Sequence, residues 1–311
     1  MIVSASYRTD IPAQYGAWFL RRLEAGFATV ANPYGGPPYR VSLAPGAAEG
    51  FVFWTRNAGP FLPALDEVRR RGLPFVVQFT ITGYPRVLEP GTLEAAAAVA
   101  QLHAIARRFG PRAAVWRYDP IVVSDAAPAA WHRENFARLA RALRGASDEA
   151  VVSFAAPYRK TARNLAAALG RAGLAWRDPP ADEKRGLIAD LAAIAGDAGL
   201  RLTLCTQPAL LPGAAEPARC IDAARLSDVA GRAIRARTKG NRPGCLCAES
   251  RDIGAYDTCA QGCAYCYAVG SRARAQAALK AHDPARANLA PPRGADSKGA
   301  RAARLFKSAE A

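Results

Sequence analysis

The sequence predicts an α/β fold, a full or partial (β/α) barrel of about six strand-helix units. Short β-rich runs recur along the chain, and a helical stretch follows each of them. The runs are apolar throughout rather than alternating, the pattern of parallel strands covered on both faces.

The runs are Ile2 to Ser6, Phe51 to Trp54, Phe75 to Ile81, Ala113 to Trp116, Val151 to Phe154 and Arg201 to Leu204. After the third run, Leu102, Ile105, Ala106 and Phe109 fall at i, i+3, i+4 and i+7, one buried helix face, with Thr92 as the expected N-cap behind Pro90 and Gly91. Phe27 to Ala31 and Tyr39 to Leu43 flank the Pro- and Gly-rich NPYGGPP and read as a hairpin insertion. The expected organisation is a barrel domain over 1–240, a cysteine-rich loop and closing helix over 241–285 in the same domain, and a loosely ordered basic tail over 286–311.

At 311 residues, 50% hydrophobic and 22% charged, the chain has the composition of a globular enzyme and not of a disordered protein. The opening MIVSASYRTD lacks a basic leader followed by an apolar core, and no stretch approaches the roughly 18 apolar residues of a membrane span. A cytoplasmic protein without membrane contact is expected. Seven cysteines in a reducing compartment, the last five closely spaced, point to metal rather than disulfides. The net charge of +16 fits nucleic acid, an anionic substrate, or solvated arginine-rich helix faces such as Arg69 to Arg71 and Arg107 to Arg108.

Parallel barrels gather their chemistry at the C-terminal strand ends. There the sequence places Ser6, Arg8 and Asp10; Thr55, Arg56 and Asn57; Gln78, Thr80 and Thr82; Arg117, Tyr118 and Asp119; Ser153, Tyr158 and Lys160; and Cys205 and Gln207. Any one position suits a helix cap or a loop hydrogen bond; six together predict a polar cavity. Arg8, Arg117 and Lys160 make it cationic, suited to a carboxylate or phosphate. Arg8, Asp10, Arg117, Asp119 and Lys160 are the expected contacts to substrate or cofactor, with Tyr118 or Tyr158 as a hydrogen-atom or proton relay. His103, His132 and His282 lie in helical stretches or at a helix end, where core or surface placement is expected.

Near the C-terminus, Cys259, Cys263 and Cys266 form the spacing C-x3-C-x2-C. Three soft thiolates from one short loop suit three corners of a four-iron cluster, leaving one iron open. The competing account is a zinc site in which Cys263 and Cys266 join Cys245 and Cys247. Cys205, Cys220, Cys245 and Cys247 number enough for a second iron–sulfur cluster or a zinc site, while Cys205 also suits a small buried hydrophobe.

The C-x3-C-x2-C spacing, with Tyr265 before the last cysteine, resembles the signature loop of radical S-adenosylmethionine enzymes. That resemblance implies a cluster whose open iron is chelated by S-adenosylmethionine, cleaved by one electron to a 5′-deoxyadenosyl radical. SASYRTDIPAQYGAWF, RVSL, FVFWTRN, QFTITGY, WRYDP, CID and the cysteine loop together resemble a bacterial and archaeal family known as domain of unknown function 1848, from Ile2 to about Ala268. The family's name carries no activity; its C-terminal cysteine cluster is similar to that which the radical enzymes carry near their N-termini.

In those enzymes the cluster loop follows the first strand and leads into the first helix. Here it leads into a helical stretch, Ala268 to Ala281, so the resemblance implies a circularly permuted barrel with Ile2 to Ser6 as the second strand. That strand's end, where the radical enzymes carry a Gly-Gly-Glu-like motif, offers Ser4, Ser6, Arg8 and Asp10, and Ser4, Ser6 and Tyr265 are the expected cofactor contacts.

The leading expectation is an iron–sulfur enzyme similar to the radical S-adenosylmethionine enzymes, acting on a substrate, small molecule or nucleic acid, that the sequence does not name, and supplied by an electron donor if the cluster is redox-active. A second reading takes nucleic acid as substrate, because GCAYCYA resembles the cluster loop of spore photoproduct lyase and the chain is basic. A third is a zinc-stapled binding protein without turnover.

Overall fold

The computed structural model describes residues 1–32, 36–213 and 215–290. In chain order they form β1 (Ile2–Ala5), α1 (Ile11–Gln14), α2 (Gly16–Ala25), β2 (Phe27–Val30), β3 (Tyr39–Ser42), β4 (Gly50–Thr55), α3 (Leu62–Arg70), β5 (Phe75–Thr80) and α4 (Ala95–Phe109). Then come β6 (Ala114–Ile121), α5 (Ala129–Ala142), β7 (Glu149–Phe154), α6 (Arg159–Gly170), α7 (Ala181–Asp197), β8 (Arg201–Leu204), β9 (Glu216–Pro217), α8 (Ala223–Ala230), β10 (Ser250–Asp252) and α9 (Arg272–Lys280).

Eight strands make one parallel sheet in the order β10-β1-β4-β5-β6-β7-β8-β9. The expected α/β fold with a large parallel sheet is present. All six predicted runs are strands, and the predicted hairpin is the antiparallel pair β2-β3, with Phe27 opposite Ser42.

Two strands were not expected. β9 has two residues, and β10 is the polar Ser-Arg-Asp, so neither offers an apolar run. The short β10 nonetheless joins β1 in parallel, Ser4 opposite Asp252, and thereby ties the C-terminal region to the first strand.

Side chains alternate between the two faces of the sheet. One face presents Val3, Phe51, Phe53, Phe75, Val77, Phe79, Trp116, Tyr118 and Val152 to the helices. Its aromatic centre is built from edge contacts, Phe53 to Phe61 with ring centroids 5.0 Å apart and Phe19 to Phe53 at 5.2 Å. Each such ring, fully buried, contributes about 2–3 kcal/mol.

The opposite face begins with Ile2, Val52, Val76, Val115 and Val151, covered by Ile221, Leu226 and Ile234 from the segment leading to β10. Two residues further along the strands the same face turns polar: Ser4, Trp54, Gln78, Arg117, Ser153 and Asp252.

Three expectations need correction. Helix α4 begins at Ala95 with Glu94 as N-cap, because Thr92 Oγ1 turns back to the carbonyl of Glu89 at 3.3 Å. Tyr118 lies inside β6, on the face packed by helices; its hydroxyl meets His132 Nδ1 at 2.9 Å among Trp116 and Phe136. Residues 286–290, predicted as loose tail, dock on the fold: Trp18 Nε1 donates to the Arg286 carbonyl at 3.0 Å, and Leu289 is buried. The rest of the predicted tail lies outside the described residues.

Candidate iron–sulfur loop and polar sheet face

The cysteine loop follows β10 and closes over the C-terminal strand ends. Asp257 pins its base: its backbone N–H donates to the Ala268 carbonyl at 3.0 Å, and its carboxylate accepts from the Gly270 N–H at 2.6 Å. The first turn of the chain holds its middle. Tyr15 donates to the Thr258 carbonyl at 2.7 Å, and the Ala260 N–H donates to Gln14 Oε1 at 3.0 Å.

Asp10 belongs to this clamp. Its buried carboxylate accepts from Thr55 Oγ1 at 2.7 Å, the Arg56 N–H at 2.9 Å, the Ala13 N–H at 3.0 Å and Gln261 Nε2 at 3.3 Å. So enclosed, it fixes the loop against β4. Gly91 approaches from the other side, where a Cβ would stand 2.4 Å from the Gln261 carbonyl oxygen.

Within the loop the three thiols lie within electrostatic reach of one another. Burial raises Cys259 well above its usual value, and the charges of Asp10, Cys266 and Cys263 add to the rise. Burial pushes Cys263 up to about 12 against the opposing pull of Arg56. Burial also raises Cys266, opposed by the N–H groups of Ala268 and Val269 and by Arg56 and Lys160. Burial thus favours the neutral thiol at all three positions, and binding a metal would release protons.

Behind the loop lies a buried ion pair that sequence reasoning did not assign. Arg56 Nη1 meets Glu89 Oε1 at 2.9 Å, and Thr82 Oγ1 donates to the same oxygen at 2.5 Å. Tyr265 donates to Glu89 and accepts from Arg56. Its ring is buried beside Tyr84, centroids 5.9 Å apart, and anchors the loop.

At the end of β1, Asp252 is the second unassigned acid. It accepts from Ser4 Oγ at 2.8 Å, Ser6 Oγ at 2.7 Å, the Tyr7 N–H at 3.0 Å and the Gly254 N–H at 2.9 Å. Ser4 and Ser6 are therefore committed to holding β10 on β1, which removes their hydroxyl protons from the expected cofactor role. Arg8 Nε stands 3.8 Å from Asp252, its guanidinium flanked by the rings of Tyr7 and Tyr256.

The polar sheet face continues to Arg117, which donates to Asp119 and to Gln78 Oε1, the latter at 3.2 Å, and lies over the Trp54 ring at 5.0 Å. Ser153 also donates to Asp119. Lys160 donates to the Tyr267 carbonyl at 3.2 Å, and Tyr158 is exposed beside Arg242. The predicted Arg8, Arg117, Asp119, Tyr158 and Lys160 thus surround the strand ends, Asp10 is buried between the end of β4 and the cysteine loop, and Tyr118 packs on the opposite face of the sheet.

The remaining cysteines form a separate group. Cys220 Sγ is 3.6 Å from Cys205 Sγ, and Cys247 bridges Cys220 and Cys245. Cys245 and Cys247 therefore face Cys205 and Cys220 and not Cys263 and Cys266, which removes the mixed zinc set expected from sequence. Among the described residues, no three His, Cys, Asp or Glu side chains surround one point as a ready-made shell for a single ion.

A family model described as domain of unknown function (DUF1848) matches residues 2–268. The chain belongs to this family. The match covers the whole parallel sheet of this DUF1848 protein and the cysteine loop through Ala268. No curated protein matches it. Among the described residues of the DUF1848 chain, no helix is long and apolar enough to cross a membrane.

Proposed function

We propose that this DUF1848 protein is an iron–sulfur enzyme built on a circularly permuted partial barrel related to that of the radical S-adenosylmethionine enzymes. The observation that carries the reading is the parallel pairing of β10 with β1. It sets β10 beside β1, and the three-cysteine loop and helix α9 follow β10 along the chain, which matches the order of first strand, cluster loop and first helix in those enzymes. The sheet between edges β10 and β9 is then an incomplete barrel wall around the polar face.

Cys259, Cys263 and Cys266 fit the cluster. In a cubane each cysteine binds a different iron, so the thiols need not share one point as they must around a single ion. N–H groups of Ala268 and Val269 face Cys266, and that of Gln261 faces Cys259, the hydrogen bonds that thiolate ligands accept. Arg56 and Lys160 offset the negative charge of the ligated thiolates. When bound, such a cluster supplies single electrons received from an external donor.

S-adenosylmethionine fits less well. Where the radical enzymes hold its amino group, Ser4 and Ser6 both donate to Asp252, whose oxygens are fully engaged. No step is derived through it. The chain's own residues bind a polar small molecule against Trp54, the Arg117–Asp119 pair, Ser153 and Lys160, a site bordered by Arg8 and Tyr158.

A nucleic-acid substrate is less favoured, because surface arginines such as Arg70, Arg133, Arg177 and Arg237 are paired with acids instead of forming a phosphate-tracking stripe. Seven free thiols accord with the reducing cytoplasm.

The test is electron paramagnetic resonance of the anaerobically reconstituted, reduced protein, with and without S-adenosylmethionine. A four-iron signal supports the enzyme reading, and a shift on adding S-adenosylmethionine assigns it to the radical class. A spectrum without any cluster signal would refute the proposal.

A further inference from the structure

Cys205, Cys220, Cys245 and Cys247 come from three separate segments, yet their side chains meet. Cys205 follows β8, Cys220 follows β9, and Cys245 and Cys247 lie just before β10. They converge on the polar face beside Arg117, whose Nη1 is 3.1 Å from Cys220 Sγ; Arg242 Nη2 is 3.7 Å from Cys205 Sγ.

We infer that these four cysteines form a second metal centre, a tetrathiolate site for one zinc ion that clasps the segments at the two edges of the sheet. Zinc bonds to sulfur of about 2.3 Å place tetrahedral sulfurs roughly 3.8 Å apart. The Cys205–Cys220 separation of 3.6 Å lies close to that edge and far from the roughly 2.05 Å of a disulfide.

The surroundings are built for thiolates. The Ile221 N–H donates to Cys247 Sγ at 3.4 Å, and the N–H groups of Cys247 and Asn241 face the Cys245 sulfur. Zinc and four thiolates carry a net charge of minus two, which the guanidinium groups of Arg117 and Arg242 offset. Gly240 packs so closely on the Cys245 carbonyl that a Cβ there would stand 2.2 Å from its oxygen, so the turn presenting Cys245 and Cys247 is tightly formed.

In the metal-free chain the sulfurs run in series, Cys205 to Cys220 to Cys247 to Cys245, sharing S–H contacts. Cys205 and Cys245, the two ends, lie within electrostatic reach of each other, and binding one ion would close the series around it. The ion then links the edge β8-β9 to the segment entering β10, which the sheet's own hydrogen bonds leave apart.

The inference is independent of the first cluster, and the test separates the two. Zinc, iron and sulfide are counted in the full-length protein, in Cys259→Ala/Cys263→Ala/Cys266→Ala and in Cys245→Ser/Cys247→Ser. The expected result is one zinc per chain that survives the triple substitution and is lost in the double one. Iron and sulfide retained by the triple variant would overturn the zinc assignment, as would zinc unaffected by Cys245→Ser/Cys247→Ser. If the double variant does not fold, cobalt(II) titration of the metal-free wild type replaces it. Tetrahedral thiolate bands, with Cys205, Cys220, Cys245 and Cys247 protected from alkylation, are expected; octahedral bands or unprotected thiols would overturn the site.

Discussion

Ser6 and Asp252, 246 positions apart in the chain, are joined by a hydrogen bond of 2.7 Å between the ends of two neighbouring parallel strands. This contact and its companion from Ser4 fasten the C-terminal region, and with it the cysteine loop, to the first strand. Burial raises the pKa of Asp252, opposed by Arg8 and by the two serines. Its replacement leaves several buried donors without an acceptor.

Asp252→Ala is accordingly expected to lower unfolding free energy by about 2–4 kcal/mol. Asp252→Asn, which keeps an acceptor oxygen, is expected to lose less. Urea denaturation of both variants checks the order; equal, negligible losses would show that β10 is not held this way.

Arg56 and Glu89 form the buried pair behind Cys263. Arg56→Met strands a buried carboxylate and should cost about 3–5 kcal/mol, whereas Arg56→Met combined with Glu89→Gln should recover a large part of that loss. A double-mutant cycle by chemical denaturation measures the coupling.

His132 gives the fold an acid-sensitive point. Its ring lies between Tyr118 and the Val122 carbonyl, and burial lowers its pKa from 6.5 to about 4. The unfolded chain takes up a proton near the ordinary value while the folded one does not. The stability from this group is thus intact above about pH 6.5 and lost as pH falls toward 4, by up to about 3 kcal/mol. In His132→Asn the wild-type drop in urea midpoint between pH 7 and pH 4.5 should be smaller.

How much of this was legible in sequence follows from local signal strength. The apolar runs around Phe51, Phe75 and Val151 announced their strands, and the cysteine spacing announced the loop. Ser250 to Asp252 carried no such signal, because its pairing is set by β1 and by side-chain hydrogen bonds and not by apolar burial. The apolar run stops at Trp116 but β6 runs to Ile121, so alternation sends Arg117 and Asp119 to one face and Tyr118 to the other. Glu89 gave no warning either, since only the tertiary contact with Arg56 and Tyr265 makes an isolated acid in a turn part of the site.

Gly91 tests whether the loop's position matters for metal. Gly91→Ala drives a Cβ against the Gln261 carbonyl oxygen, 2.4 Å away, between Cys259 and Cys263. The expected result is reduced iron and sulfide per chain with a stability loss of only about 1–3 kcal/mol. Unchanged iron content would show that the loop tolerates the shift.

The most direct measurement is the iron and acid-labile sulfide content of the anaerobically reconstituted wild type beside Cys263→Ala. The account predicts iron and sulfide in equal amounts, at the level of one four-iron cluster, in the wild type, and their loss in Cys263→Ala with the fold retained. Iron and sulfide absent from the wild type, or unchanged in Cys263→Ala, would contradict it.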